Sequence, residues 1–299
     1  MSGIPPISTL LAFEAVARRR SFAVAASELH LTASAVSHQI SRLEAQLGVR
    51  LFERSAHGVR LSVAGETYQR RVSGALMALS SATDDRRQGN SNSLFVHSAP
   101  SIASLWLMPR LRAFAHEHPE ITLNLSAAHT PSDFALGQAD VDIRYGVPQW
   151  PDLIVEPLFE EKVLPLASPG FIREHKLTKP EQLFELPLIQ SNVSVVQWPD
   201  WFLKFSGRRS PETFAVRFDR AQMALDAATF GLGVALESST IAGAHIADKR
   251  LKPVFPKAMA ISVKGHFVVY PERHAKRPAV EAFVDWIHQE AARTMGSAR

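Results

Sequence analysis

Residues 29–47, LHLTASAVSHQISRLEAQL, decide how the amino-terminal part of this chain is read. Val36, Ile40, Leu43 and Leu47 recur at helical spacing, and at ~100° per residue they share one sector of a helix. Ser34, Ser37, His38, Ser41 and Ala45 project from the other side. That outer face is short, polar and almost uncharged, whereas a solvated surface helix ordinarily carries pairs of Lys and Glu. Small hydroxyls and an imidazole let a helix approach another surface closely and hydrogen-bond to it, as the floor of the DNA major groove requires. An ordinary amphipathic helix has the same spacing, so the neighbouring segments decide the matter.

Working outward, the pattern predicts a helix over 21–30 with Phe22, Ala25, Ala26 and Leu29 on one side and Ser21 as its cap. The break at His30-Leu31 is brief, and Thr32 can cap the helix that follows. Two helices joined by so short a turn, with alanines at the crossing, fit a helix-turn-helix. A third helix is expected over 8–17, with Leu10, Phe13, Val16 and Ala17 facing in. Gly48 suits the end of the recognition helix. Residues 51–54 and 59–61 then flank Ser55-Ala56-His57-Gly58 as a two-stranded wing.

With these elements in place the chain resembles the LysR-type transcriptional regulators. The residues that carry the resemblance are FEAVARRRSFAVAASELHLTASAVSHQISRLEAQLGVRLFER at 13–54 and GVRLSVAGE at 58–66. The match is ungapped through the amino-terminal region and extends, more weakly, through the rest. It implies a sequence-specific DNA-binding transcriptional regulator, not an enzyme, that meets double-stranded promoter DNA, with RNA polymerase as a further candidate partner. Thr32, Ala33, Ser34, Ser37, His38, Ser41 and Arg42 would approach DNA from the recognition helix, and Arg54 from the wing. Ala33 and His38 stand where more polar residues are common in the family, which bears on the preferred DNA sequence.

Composition agrees with this class. The chain has 299 residues, 46% of them hydrophobic, and no cysteine. That length supports two or three units with cores of their own. No apolar run approaches the ~20 residues that span a bilayer. MSGIPPISTL lacks the basic start and apolar centre of a secretory signal. Disulfides and thiol redox sensing are excluded. A cytoplasmic protein without membrane attachment is expected. The net charge of +4 is concentrated: residues 1–90 hold eleven Arg, no Lys and seven acidic residues, whereas 91–299 are balanced. Arg forks suit phosphate and guanine edges. Arg18, Arg19 and Arg20 fit either such a role or a solvated helix end. None of the twelve histidines has a metal-binding spacing, and no metal or cofactor is expected.

Ser62 can cap a long helix running to about Arg87, ~40 Å in length. Tyr68, Val72, Ala75, Leu79 and Ala82 repeat at spacings of 4, 3, 4 and 3, an a/d seam. A helix lying on its own domain gives a similar stripe; the thin seam favours a homodimer. The polar run 88–93 reads as a hinge. The resemblance further implies that dimers pair into homotetramers through their effector domains.

From Leu94 onward strands alternate with helices, which implies α/β units with mainly parallel sheets. The expected class is therefore an α+β multidomain chain. A winged helix-turn-helix spans 1–61, a linker helix and hinge 62–92, and a two-lobed α/β effector domain 93–299. Lobe I would take about 93–165 and 266–299, and lobe II about 166–265. The resemblance implies that this domain is similar to periplasmic binding proteins, with an effector between the lobes.

Ligands of open α/β folds lie beyond the carboxyl ends of strands. Ser98, Pro100, Ser101 and Ile102 form such a junction, where hydroxyls and free N–H groups favour a small polar or anionic metabolite. His129 and Thr130 follow the next strand. Phe218, Asp219 and Arg220 would face the cleft from lobe II, and His266 and Phe267 from the rim. Arg144 can hold a carboxylate or pair with Asp142 or Asp140. Arg144-Tyr145-Gly146 with Trp150-Pro151 resembles the branch that regulates glycine cleavage and β-lactamase induction, which implies a small amino acid or peptide-like effector.

Two other classes remain. One is an architectural DNA-binding protein without an effector. The other is a DNA-binding module fused to a cryptic enzyme, although the sequence has no Gly-x-Ser-x-Gly elbow, P-loop or dinucleotide fingerprint. Gly231-Leu232-Gly233 reads more simply as a helix end and tight turn.

Overall fold

The computed structural model describes residues 3–55, 58–87 and 92–297. The chain falls into two compact units, Met1–Ser91 with Ala135–Gln138, and Asn92–Phe134 with Ala139–Arg299.

In the first unit α1 (Ile7–Arg19), α2 (Phe22–Glu28) and α3 (Ala33–Leu47) precede β1 (Phe52–Ser55), β2 (Gly58–Leu61) and α4 (Val63–Arg87). The caps are the expected ones. Ser21 accepts from the Val24 N–H, Thr32 accepts from the Ala35 N–H, and Gly48 ends α3 in the left-handed region at φ 68°. Phe13, Val16, Ala25, Val36, Ile40 and Leu43 form one buried cluster. Leu47 departs from the expected stripe: it is the last residue of α3 and is 36% exposed, outside that cluster. The Glu44 carboxylate accepts from the N–H groups of Leu51 and Phe52 and fastens the wing to α3. Only glycine fits at Gly65, because a Cβ there would stand 2.1 Å from the Leu51 carbonyl oxygen.

Part of the expected seam packs on the linker helix's own domain. Tyr68 packs edge-on against Phe13 at 5.2 Å and Val72 is buried in the same cluster, so the first half of the stripe covers the helix's own domain. A 4-3-4-3 spacing does not distinguish a partner helix from a domain beneath. Ala75 and Leu79 lie outside that cluster and are exposed. The side chain of Ala82, like residues 88–91 of the expected hinge, lies outside the described residues.

The second unit holds two sheets. β3 (Ser93–Ser98), β4 (Thr122–Ala127), β5 (Val141–Tyr145) and β6 (Ile154–Pro157) come first. The chain then crosses over to β7 (Glu161–Ala167), β8 (Leu188–Ser191), β9 (Val216–Phe218), β10 (Val234–Ser238), β11 (Lys252–Pro253) and β12 (Ile261–Val263). It returns as β13 (His266–Tyr270), which closes the first sheet in the order β4-β3-β5-β13-β6. The second sheet runs β11-β7-β10-β8-β9, with β12 also on β7. Because β7 lies wholly in the second sheet, the crossover falls a few residues before the expected boundary at 165.

The sheets are mixed rather than mainly parallel. β3, β4 and β5 are parallel, as are β8, β9 and β10, but β7 and β13 run against their neighbours. The reason is the double crossing. β3, β5, β8 and β10 end at the gap between the lobes, whereas β7 and β13 begin there. The helical stretch after β3 is interrupted: Ala103–Leu107 winds as a π-helix and Met108–Arg110 as a 3-10 turn. Pro109 has no N–H to continue an α-helix.

Candidate functional site

On the first unit, α3 presents Thr32, Ala33, Ser34, His38, Ser41 and Arg42 to solvent, with Ser37 half-buried at their centre. Thr32 and Ser34 share a hydrogen bond of 3.1 Å through their hydroxyls. Val36, Ile40 and Leu43 fix this face by filling the core behind it. Arg18 bonds both Glu14 and Glu28, and Arg19 bonds Glu28, so two of the three consecutive arginines serve the α1–α2 junction. Arg18 first, then Arg19, holds the Glu28 carboxyl down at about 2. Arg54 sits on β1, and its side chain lies outside the described residues.

In the second unit a cavity of about 380 Å³ lies where β3, β5, β8 and β10 end and where β7 and β13 begin. Six of the expected residues line it: Pro100, Ser101, Ile102, His129, Arg144 and His266. The others do not, for reasons rooted in strand alternation and pairing. Ser98 is fully buried and its hydroxyl donates to the Ala99 carbonyl; the neighbouring His97 faces the cavity instead. His97 Nε2 meets the Thr130 carbonyl at 3.1 Å, so Thr130 acts through its backbone behind the wall. That carbonyl only accepts, so Nε2 carries the proton, and in the neutral ring Nδ1 accepts from Ser126 at 2.8 Å. Phe218 packs against the core. Asp219 and Arg220 pair with one another at 3.7 Å in solvent. Phe267 points opposite to His266 and packs on Trp150.

Arg144 resolves toward Asp142. Its Nε donates to Asp142 Oδ2 at 3.0 Å and its NH2 group to the Ser132 carbonyl at 3.0 Å, while Phe134 and Trp150 flank the guanidinium, each at 5.3 Å. Asp142 Oδ2 also takes the N–H and hydroxyl of Ser132. Arg144 therefore stiffens the wall through two of its five N–H donors.

Sequence reasoning missed the floor of the cavity. Tyr145, Glu161, Ser191, Ser194, Glu237 and Ser238 all line it. A readable signal existed: Glu237 lies in Val234–Ser238, a strand that is otherwise apolar until its final serine, and Glu161 opens β7. His266 Nδ1 meets Glu161 Oε1 at 2.8 Å. Burial, chiefly, and the nearby Glu161 push the Glu237 carboxyl up to about 8, with Ser191 and the Ser238 N–H pulling the other way. Burial likewise raises the Tyr145 phenol above its ordinary range.

Besides the His266–Glu161 contact, two hydrogen bonds join the lobes across this cavity. Ser101 Oγ accepts from the Gln222 N–H at 3.2 Å, at the start of the helix Ala221–Thr229. Tyr145 Oη accepts from the Val195 N–H at 3.1 Å. The cavity is lined from both lobes.

Comparison with known proteins gives a consistent answer. Residues 7–66 match the family described as bacterial regulatory helix-turn-helix protein, lysR family, and residues 87–292 match the LysR substrate binding domain. The chain is 40% identical over 286 residues to the uncharacterized HTH-type transcriptional regulator y4mQ of Sinorhizobium fredii, covering 95% of each. It is 33% identical to the glycine cleavage system transcriptional activator of Escherichia coli, covering 97% of this chain and 95% of that one. Among solved structures, the effector domain of the transcriptional regulator AmpR of Pseudomonas aeruginosa superposes with a TM-score of 0.60 at 28% identity. That match covers 69% of this chain and all of that one.

Proposed function

The chain belongs to the LysR family of bacterial transcriptional regulators, and on that premise we propose that α3 reads promoter DNA while the inter-lobe cavity takes the effector that governs the response. It is a DNA-binding regulator with an effector-binding domain. The observation that carries the finer reading is the cavity itself, lined from both lobes and bridged at Ser101–Gln222 and Tyr145–Val195. A ligand that fits one lobe orientation better than another shifts the equilibrium by its differential affinity, and no further.

On this reading Ser34, Ser37 and His38 choose the DNA sequence, and Arg42 and Arg54 hold phosphate. The domain limits follow the elements: winged helix-turn-helix, linker helix, two-lobed effector domain. The protein works as a homodimer, and as a homotetramer through the effector domains, where Met223, Phe230 and Leu232 leave an apolar surface exposed. It acts in the cytoplasm and is not an enzyme. In support, both nitrogens of His97 are occupied and Nδ1 of His266 is held by Glu161, an arrangement suited to holding a ligand. No helix among the described residues is long and apolar enough to cross a membrane.

The test is a nuclease footprint of the purified chain on the DNA upstream of its own gene. A protected site with two-fold related halves in adjacent major grooves is expected. Uniform protection without a preferred site would favour the architectural alternative.

A further inference from the structure

The cavity floor carries acceptors that the protein itself leaves unsatisfied. Glu161 is 1% exposed and Glu237 4% exposed, and both line the cavity. Glu161 Oε1 is met by His266, but Glu161 Oε2 and Glu237 Oε1 have no hydrogen-bond partner among the described residues. Ser191 Oγ has no well-formed hydrogen bond either, though it lies near enough to Glu237 to pull its carboxyl down. Buried polar atoms are almost always paired, and a buried carboxyl lacking a partner is costly. Two such oxygens in one cavity call for a donor from outside.

The other charged groups that face this space fix the kind of donor. Asp142 adds a third carboxylate and is matched by Arg144, which donates one N–H to it and another to the Ser132 carbonyl. His97 and His129 line the cavity as well. Among the described residues no lysine lines the cavity. A ligand carboxylate at the floor would meet the carboxyls of Glu161 and Glu237, which repel it when ionised. The walls include Tyr145, Trp150, Ile102, Val193 and Ile241, which suit an organic body rather than a hydrated inorganic ion. Among the described residues no group of three His, Asp or Glu is placed to hold a metal.

We propose that the effector carries a protonated amine, which it places between Glu161 Oε2 and Glu237 Oε1 at the floor of the cavity. This rests on the cavity being the effector site. It narrows the small polar or anionic metabolite expected from the sequence to one that bears an amine, because that expectation weighed the Ser101 junction without the two glutamates. An ammonium group has three donors and no acceptor, and it complements two carboxylate oxygens and the Ser191 hydroxyl. The organic remainder extends toward Ser101 and His129. Because Glu237 must ionise to receive the ammonium, binding releases a proton at neutral pH and strengthens as pH rises toward 8.

The test uses the full chain and three matched probes, n-propylamine, L-alanine and propionate, with calcium chloride as a fourth. Melting temperature is followed in the wild type, Glu161→Gln, Glu237→Gln and Ser101→Leu. The two amides conserve shape, and the melting temperature of each variant without probe reports that it folds. Propylamine and alanine should raise the melting temperature by several degrees, and propionate and calcium should not. Apparent affinity for the amines should fall at least tenfold in either Gln variant, and in the wild type should rise between pH 6 and 8. Stabilisation by propionate or calcium alone, no stabilisation by any probe, or undiminished amine binding in Glu237→Gln overturns the proposal. So does affinity that falls with pH, which would mean that a neutral Glu237 donates to the ligand. Propionate stabilisation that Ser101→Leu abolishes would overturn the ammonium yet keep the cavity as the effector site. Amine stabilisation that survives Ser101→Leu and both Gln variants would overturn both.

Discussion

Ser101 Oγ accepts a hydrogen bond from the backbone N–H of Gln222 at 3.2 Å, so a hydroxyl of one lobe caps the first turn of a helix in the other. Helix N-termini leave such N–H groups without intrahelical partners, and a side-chain cap contributes about 1 kcal/mol. Ser101→Ala should therefore lower stability by about 1 kcal/mol and loosen the lobes. Hydrogen exchange at the Gln222 amide should quicken while exchange in β3 stays slow. Unchanged exchange at Gln222 would show that the bond does not hold the lobes.

Glu237 gives a pH signature of stability. Its carboxyl titrates near 8 when folded, against an ordinary 4.5. A raised folded pKa favours the native state fully below 4.5, and that advantage is lost as pH rises to about 8. The wild type should thus weaken across this window by roughly a few kcal/mol, following ~1.4 kcal/mol for each pKa unit. Glu237→Gln should flatten the profile and be the more stable form at pH 8. Denaturant melts at pH 5, 6.5 and 8 check this, and parallel profiles for the two proteins would refute it.

Gly265 sits where the chain re-enters the first lobe. A Cβ there would stand 2.6 Å from the Tyr145 ring and 2.9 Å from Glu161 Oε1. Gly265→Ala should push Tyr145 aside and break its bond to Val195, at a cost of about 1–3 kcal/mol for overpacking. Tyr145→Phe should lose the lobe bridge with little change in packing. If Gly265→Ala melts like the wild type, the close approach is not a constraint.

The proposed assembly uses the outer half of α4. Leu79 is 49% exposed, whereas Tyr68 and Val72 on the same stripe pack on their own domain. Leu79→Asp places a charge in the proposed dimer seam, a change worth several kcal/mol if the seam is buried. The variant should scatter light as a monomer at micromolar concentration with its effector domain intact. A variant that stays dimeric would move the interface elsewhere.

Much of the first unit was legible because its signals are local. Ser21, Thr32 and Gly48 act within a few residues of themselves, and Val36, Ile40 and Leu43 declare one face of one helix. Ambiguity entered where a pattern has two physical causes: Tyr68 and Val72 show a seam spacing, yet what they cover is Phe13 and its neighbours. The cavity was half legible. Strand ends such as Ser101 and Arg144 follow from the α/β pattern, but Glu161, Glu237 and Tyr145 meet only because the chain crosses twice between lobes. Sequence separation hides such meetings. The reversal of β7 and β13 was hidden likewise, since strand direction depends on the edge from which the chain arrives.

The central claim, that α3 reads a particular DNA sequence, is tested most directly by equilibrium binding of the full chain to the duplex upstream of its own gene and to a scrambled duplex, at several salt concentrations. The account predicts preference for the native duplex by ~10³ or more, with log affinity falling linearly with log salt. Arg42→Ala should weaken both duplexes alike and reduce the salt slope by about 1, whereas Ser37→Ala should erode the preference by roughly 1–3 kcal/mol. Equal affinity for the two duplexes, or a preference that Ser37→Ala and His38→Ala leave untouched, would contradict it.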